Sequence, residues 1–368
     1  MEFGFVPEPD VEEFKDVILR KKRPKRAHIC ELGIDKVVLK YIWENIFGEK
    51  WIEGETREER EKMLLNYIKI FKNLGFDTVR LNSDFRFDAN IKFPQKVRKG
   101  KDTAELSKNE RNWVEEKEGM IKTWEDFENY PWPDGEKIDI WPFEFISENL
   151  PDSMGILGCL SQGVFEITMF LFGYENLCYL IYDNPELVKA VIDKVGEIIL
   201  KGYEKLCKMK KLIGFFQGDD MGFKTGLLLP PDFIRKHILP WHRKFSELAH
   251  NNNLLYILHS CGNLEEIMED LIEFVKIDAK HSFEDEIIPV WKFKRKYGER
   301  IGVIGGVDVG KLCRFEDGKL RKYVREILDK CGLEGYILGS GNTIANYVPV
   351  KNFLIMIEEG HKYKPAPM

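Results

Sequence analysis

The sequence predicts an α/β fold, a single-domain (β/α)8 barrel of the TIM type spanning residues 1–368, with an N-terminal helical extension and a long aromatic insertion after the second strand. Three observations predict it. Short apolar runs alternate with amphipathic helices, eight such runs can be counted, and polar residues stand just past their ends. Alternation implies parallel pairing with right-handed crossovers, and eight units close most simply into a barrel, a doubly wound open sheet being the alternative. The chain exceeds the usual barrel of about 250 residues, and the irregular excursion from Phe85 to Leu150 accounts for much of the surplus.

The elements follow in order. Asp10 to Lys22 has helical spacing of Val11, Phe14, Val17 and Ile18, and the basic run from Lys21 to Arg26 after it reads as a solvated connector. Arg26 to Glu31 is the first strand, a short helix follows around Lys36 to Ile46, and Thr56 caps a long helix to Leu74 that Gly75 stops. Phe76 to Asn82 is the second strand. The 85–150 excursion carries Trp113, Trp124, Trp132 and Trp141, too apolar for a disordered linker, and reads either as a satellite core or as a lid. Within it, Thr123-Trp-Glu-Asp126 resembles a capping box. Then come strands at 154–160, 212–217, 254–259, 274–278, 300–305 and 335–339. Helices alternate with them, through Val164 to Tyr182, Asn184 to Lys210, Pro231 to Asn251, Leu264 to Leu271 behind Asn263, Glu316 to Cys331 and Pro349 to Glu359.

A 43% hydrophobic content suffices for a large core, and 56 basic against 62 acidic residues leave a net charge of −6 with no block of one sign. That balance argues against nucleic acid or a membrane surface as the main partner. Seven dispersed cysteines without a Cys-x-x-Cys pair point to reduced thiols rather than a disulfide framework. With no secretory pattern at the N-terminus and no run of about 18 apolar residues, the expectation is a cytoplasmic protein.

The chemistry concentrates where Leu254-Leu-Tyr-Ile-Leu-His259-Ser-Cys261-Gly-Asn263 ends. Alternation along a strand puts Leu255, Ile257, His259 and Cys261 on one side. Imidazole and thiolate are preferred zinc ligands, so the pair supplies two of the three protein positions of an open catalytic site. A histidine or cysteine alone is more often a packed interior residue; the pair's place at a strand end, where barrels put their active sites, favours metal. Other polar residues gather at strand ends too: Glu31, Asp84, Asp219, Asp220, His281, Asp308, Ser340 and Asn342. Singly each reads as a cap or loop residue. Asp219, Asp220, His281, Asp84 and Ser340 all compete for the third ligand position, carboxylate or imidazole suiting zinc better than a hydroxyl.

On these residues the chain, from Arg26 to Tyr363, resembles the uroporphyrinogen decarboxylase superfamily and, within it, the zinc-dependent, corrinoid-linked methyltransferase branch. His259-Ser-Cys261 looks like the branch's His-x-Cys zinc motif, and Gly305-Gly-Val-Asp308 and Gly339-Ser-Gly-Asn342 with Val348-Pro-Val-Lys-Asn352 look like two further family loops. The resemblance implies zinc held by His259, Cys261 and Ser340, catalytic roles for Asp84, Asp219, Asp220 and His281, and cofactor contacts from Asp308 and Asn342. It further implies cobalamin supplied on a separate corrinoid protein and a small methylated or thiol substrate; a homodimer is an expectation from aromatics exposed on a barrel alone. Ser340 stands where thiol-alkylating relatives have a cysteine. Losing that thiolate raises the charge of the site and favours polarising an oxygen leaving group over activating a thiol. Ser83-Asp84 resembles the decarboxylases' aspartate position, but their paired arginines are missing from His28 to Gly33, which argues against porphyrinogen decarboxylation. The rivals are a metal-free lyase working through Asp84 and a non-catalytic tetrapyrrole or corrinoid-protein binding module.

Overall fold

The computed structural model describes residues 4–101, 106, 110–114 and 117–364. Seven strands form one parallel sheet in chain order: β1 (Thr78–Val79), β2 (Gly155–Gly158), β3 (Leu212–Gly218), β4 (Leu255–His259), β5 (Ala279–His281), β6 (Gly302–Ile304) and β7 (Tyr336–Ile337). The eighth position belongs to the predicted first strand, which joins β7 through a parallel bridge at Ile29 and Leu338, with Cys30 N donating to Leu338 O at 2.9 Å and Leu338 N to His28 O at 2.9 Å. The expected (β/α)8 barrel is the fold.

The seam between the first strand and β1 is closed by side chains. Arg80 Nη1 donates to Leu32 O at 2.5 Å, Asn82 Nδ2 donates to Ile34 O, and Asp77 pairs with His28 Nδ1 at 2.8 Å. The first two bonds satisfy backbone carbonyls that would otherwise face a gap in the ladder.

Alternation sorts each strand into a lumen face and an outer face. Leu255, Ile257, Ala279, Ile304 and Ile337 join one buried cluster inside the barrel, while Tyr256 and Leu258 pack outward under the helices. Helix α1 (Val11–Ile18) contributes Val11, Phe14, Val17 and Ile18 to that inner cluster, and Asp10 caps it by accepting from Glu13 N at 2.9 Å. The N-terminal extension is therefore a plug for the barrel's lower end, which leaves the carboxyl ends of the strands as the open mouth.

Other expectations hold with shifted bounds. Thr56 and Glu59 form a capping box on helix Arg57–Asn73, and Thr123 and Asp126 form one on Trp124–Asn129. The strand expected at 274–278 lies at Ala279–His281 instead, because the preceding helix runs to Val275 and ends on Lys276 in the left-handed region (φ 63°). The helix expected from Val164 to Tyr182 bends by 93° at Gly173 (φ 78°), and no single helix among the described residues is long and apolar enough to cross a membrane. Much of the 85–150 excursion is core, not cover. Phe85, Ile91, Phe93, Ile121, Trp141 and Phe143 are buried with the barrel's outer layer, and helix Trp141–Asn149 packs on helix Arg57–Asn73. Trp124 is half exposed, and the side chain of Trp113 lies outside the described residues.

Candidate metal centre

Three donor groups converge at the mouth. In the parallel register Gly218, His259 and His281 lie side by side on β3, β4 and β5, so the first residues past β3 and β4 meet. Asp220, His259 and Cys261 bring their ligand atoms within 4.8 Å of one another. His259 Nε2 lies 3.3 Å from Asp220 Oδ1 and 3.5 Å from Cys261 Sγ. Bonds of about 2.0–2.1 Å to nitrogen or oxygen and about 2.3 Å to sulfur, set at tetrahedral angles, separate ligand atoms by roughly 3.3 Å (N to O) and 3.5 Å (N to S). The two observed separations match that shell without rearrangement.

The tautomer fits as well. His281 Nε2 lies 3.0 Å from Ser340 O, a carbonyl that can only accept, so Nε2 carries the proton. Burial, followed by the neighbouring His259, holds His281 well below the usual imidazole range and hence neutral, so its Nδ1 is a bare acceptor. His259 Nδ1 sits 2.7 Å from it and must be the donor, so Nε2 is the ring nitrogen that faces Asp220 and Cys261; in the metal-free site a proton there is shared with Asp220 Oδ1 at 3.3 Å, and a cation would take its place. This is the outer support that orients a metal-binding imidazole.

Cys261 receives donors at its sulfur, Asn342 Nδ2 at 3.1 Å and Ser282 Oγ at 3.9 Å, while its amide donates to Asp220 Oδ1 at 2.8 Å. Burial and then the Asp220 carboxylate push the bare thiol well up. Burial acts upward on Asp220 too, but the hydrogen bond and charge of His259 and the Cys261 amide outweigh it and hold the carboxyl low. A cation between them resolves this opposition by drawing off the thiol proton. The residues present therefore fit zinc.

Several expected site residues lie elsewhere. Ser340 is fully buried and its Oγ is taken by Glu31 Oε2 at 2.5 Å and Asn342 O at 2.6 Å, so Asp220, not the serine hydroxyl, completes the cluster. Asp219 is also sealed. It accepts from Phe165 N at 3.0 Å, Glu166 N at 2.9 Å and His242 Nε2 at 2.9 Å, and so caps helix Val164–Phe172 from outside the mouth. His281 is fully buried behind His259 and acts by orienting it. Asp308 caps helix Val309–Arg314 through Lys311 N and accepts from Asp285 N, and it does not border the cleft beside the cluster. Asn342 does reach the cluster, through sulfur. Asp84 is exposed on the short helix Ser83–Arg86 and borders the mouth.

A cleft of about 490 Å³ opens beside the cluster, bordered by Asp220, His259, Asn342, Asp84 and three residues that the sequence left unmarked, Glu166, Arg80 and Arg86. Glu166 is part-buried, and burial, then the charges of Asp220 and Asp219, raise its carboxyl well above the usual range. Its only signal was position, a carboxylate in the first helical turn after a strand, which also describes an ordinary helix start.

The family model described as uroporphyrinogen decarboxylase (URO-D) matches residues 120–363. A methylated-thiol–coenzyme M methyltransferase of Methanosarcina mazei is 26% identical over 145 residues, 39% of this chain; the match spans 37% of that relative's length. Among solved structures, a methyltransferase from Methanosarcina mazei superposes with a TM-score of 0.65 at 16% identity, covering 96% of this chain and 98% of that one. A B12-independent methionine synthase from Shewanella sp. W3-18-1, in complex with selenomethionine, superposes with a TM-score of 0.53 at 10% identity, covering 83% and 87%. At such identities the structural likeness shows the shared fold. With a family model matched over more than half of its length, the chain belongs to the uroporphyrinogen decarboxylase family.

Proposed function

We propose that this protein is a zinc-dependent methyltransferase that moves a methyl group between a small molecule and cobalamin carried on a separate corrinoid protein. The observation that carries the reading is the Asp220, His259 and Cys261 cluster, whose spacing and imidazole tautomer suit a three-ligand zinc site open to a cleft. The curated methyltransferase relative supports the methyl-transfer half.

Zinc, when bound, supplies Lewis acidity at its open position. The chain's own residues do the rest. His281 and the Ser340 carbonyl fix His259, and Asn342 donates to the Cys261 sulfur and keeps it directed at the cluster. Glu166 borders the same cleft with its proton retained, placed to supply it to a leaving oxygen, nitrogen or sulfur. With Asp220 as third ligand the site carries two anionic ligands, the same charge as one histidine with two thiolates. The preference for an oxygen leaving group that a serine ligand would have implied therefore lapses.

The test is metal analysis of protein purified without chelators, followed by methyl transfer from methoxylated aromatics, methylamines and methylated thiols in the presence of reduced corrinoid protein. One equivalent of zinc, lost in His259→Ala, Cys261→Ser and Asp220→Ala together with turnover, is expected. Full activity in metal-free protein, dependent on Asp84 alone, would replace this reading with a lyase.

A further inference from the structure

Lys280 is a buried cation that neither the metal cluster nor the mouth cleft uses. It stands on β5 between Ala279 and His281, and since those two face the lumen, alternation turns Lys280 outward beneath the helices. The residue is 4% exposed. Among the described residues it forms no ion pair: Nζ donates to Ser282 O at 2.7 Å and lies 4.5 Å and 5.5 Å from the ring centres of Phe283 and Phe293. A carbonyl and two aromatic faces do not neutralise an ammonium, and burial without a counter-charge favours the neutral amine. Burial accordingly brings the Lys280 amine down to about 8, against the opposing charges of Cys261, Asp220 and Glu284. Lys280 also borders a cavity of about 140 Å³ that shares no lining residue with the mouth cleft, its walls made mainly apolar by Leu264, Met268, Ile288 and Phe293. The volume is close to the roughly 150 Å³ that holds benzene, so the cavity admits a molecule of about six heavy atoms or fewer.

We propose that Lys280 is a second reactive site, an amine that condenses with a small neutral aldehyde or ketone entering this cavity. The site is independent of the methyl-transfer reading. A lysine desolvated in an apolar pocket keeps the lone pair that a solvated ammonium lacks, and is a nucleophile toward carbonyl carbon. Nζ adds to that carbon to give a carbinolamine. The hydroxyl then leaves as water while the C=N bond forms, both amine protons ending in the water, with nothing oxidised or reduced. Glu284, part-buried on the same cavity, is placed to carry the proton to the departing hydroxyl. The wall also sets the charge of the occupant. Lys280 is the one cation among the lining residues, and two carboxylates line the cavity with it, Glu265, already held by Lys296 and Tyr297, and Glu284. A carboxylate or sulfonate would be repelled there, whereas a neutral carbonyl compound is not.

The experiment is reductive trapping. Isobutyraldehyde and cyanoborohydride are added to the full chain as purified, between pH 6 and pH 10, and the alkylated lysines are mapped by peptide mass spectrometry. At pH 8 about half of Lys280 is neutral, against roughly one in 250 of an ordinary lysine. Lys280 is expected to be alkylated at least about tenfold faster than the exposed Lys208, at a rate that levels off above pH 8 while that of Lys208 keeps rising. Isobutyrate, the same tail with a negative charge, gives no protection. Met268→Trp, which fills the cavity, slows labelling of Lys280 and leaves Lys208 unchanged, with circular dichroism melts to confirm that the variant is folded. Lys280 left unmodified, labelled no faster than Lys208, or protected by isobutyrate would each overturn the proposal, the last by making the cavity an anion site. Because the readout is a covalent mark on the wild-type chain, a failure to bind zinc, which sinks the methyl-transfer reading, leaves this result intact.

Discussion

Glu31 is the residue whose protonation the structure fixes most directly. It is buried, its Oε1 accepts from Ser340 N at 2.8 Å, and its Oε2 lies 2.5 Å from Ser340 Oγ, which in turn lies 2.6 Å from Asn342 O. One hydroxyl proton cannot serve two acceptors. The count closes if Glu31 is protonated and donates to Ser340 Oγ while that hydroxyl donates to the carbonyl. Burial agrees, raising the Glu31 carboxyl from 4.5 to about 8, with the two Ser340 hydrogen bonds opposing it. A raised carboxyl means that the folded state binds more protons than the unfolded one, so stability falls as pH rises between about 4.5 and about 8. At about 1.4 kcal/mol per pH unit, the largest loss across that window is about 5 kcal/mol. Glu31→Gln keeps an acceptor for Ser340 N and replaces the acid proton with an amide N–H. Urea unfolding of metal-free protein at pH 5, 7 and 8.5 is expected to show the wild type losing stability steadily while Glu31→Gln stays flat, the variant being the more stable at pH 8.5. Parallel profiles for the two proteins, or a glutamine variant weaker at every pH, would refute the protonated carboxyl.

Three further outcomes are expected. His281→Phe leaves the three ligands but removes the acceptor that orients His259, so zinc affinity measured by chelator competition falls about 10- to 100-fold, less than in His259→Ala. The adjacent aspartates behave oppositely: Asp219→Ala strips the cap of helix Val164–Phe172 and orphans His242, costing about 2–4 kcal/mol in denaturant unfolding of metal-free protein, whereas Asp220→Ala abolishes zinc binding and changes that stability little. Phe14→Ala, at the centre of the plug, costs about 3–5 kcal/mol and leaves zinc affinity unchanged; a loss of affinity there would mean that the lower end of the barrel and the mouth are coupled.

The sequence revealed those features that depend on local period and local chemistry. Alternation in Leu255, Ile257 and His259 is legible because β4 is paired with β3 along its whole length and with β5 from Ile257 onward, and the capping boxes at Thr56 and Thr123 are legible because a cap is a contact between residues three apart. What stayed hidden depends on which way a side chain turns after its strand has ended. Asp219 and Asp220 are neighbours of one type, and only the register of β3 against β4 sends the first to a helix end and the second to the ligands. Analogy with a cysteine puts Ser340 at the metal, but its hydrogen-bonding hydroxyl is captured by Glu31, 309 positions away in the chain. Arg80 and Arg86 carry no sequence signal, because an arginine inside a strand or on a short helix usually reads as a solvated surface charge.

That long-range contact also explains why barrel closure and site geometry depend on one another. Ser340 follows β7, which meets the first strand at the Ile29 and Leu338 bridge, and Glu31 follows that first strand. Pairing the two ends of the chain therefore brings Glu31 beneath Ser340, and both hydrogen bonds of Glu31 hold the Ser340 backbone in place. Its carbonyl then faces His281, and through His281 sets which nitrogen of His259 faces the cluster. Until the barrel closes, nothing distinguishes the two tautomers of His259. Once it has closed, His259 Nδ1 is committed to donating to His281, and Nε2 is the nitrogen left to face Asp220 and Cys261.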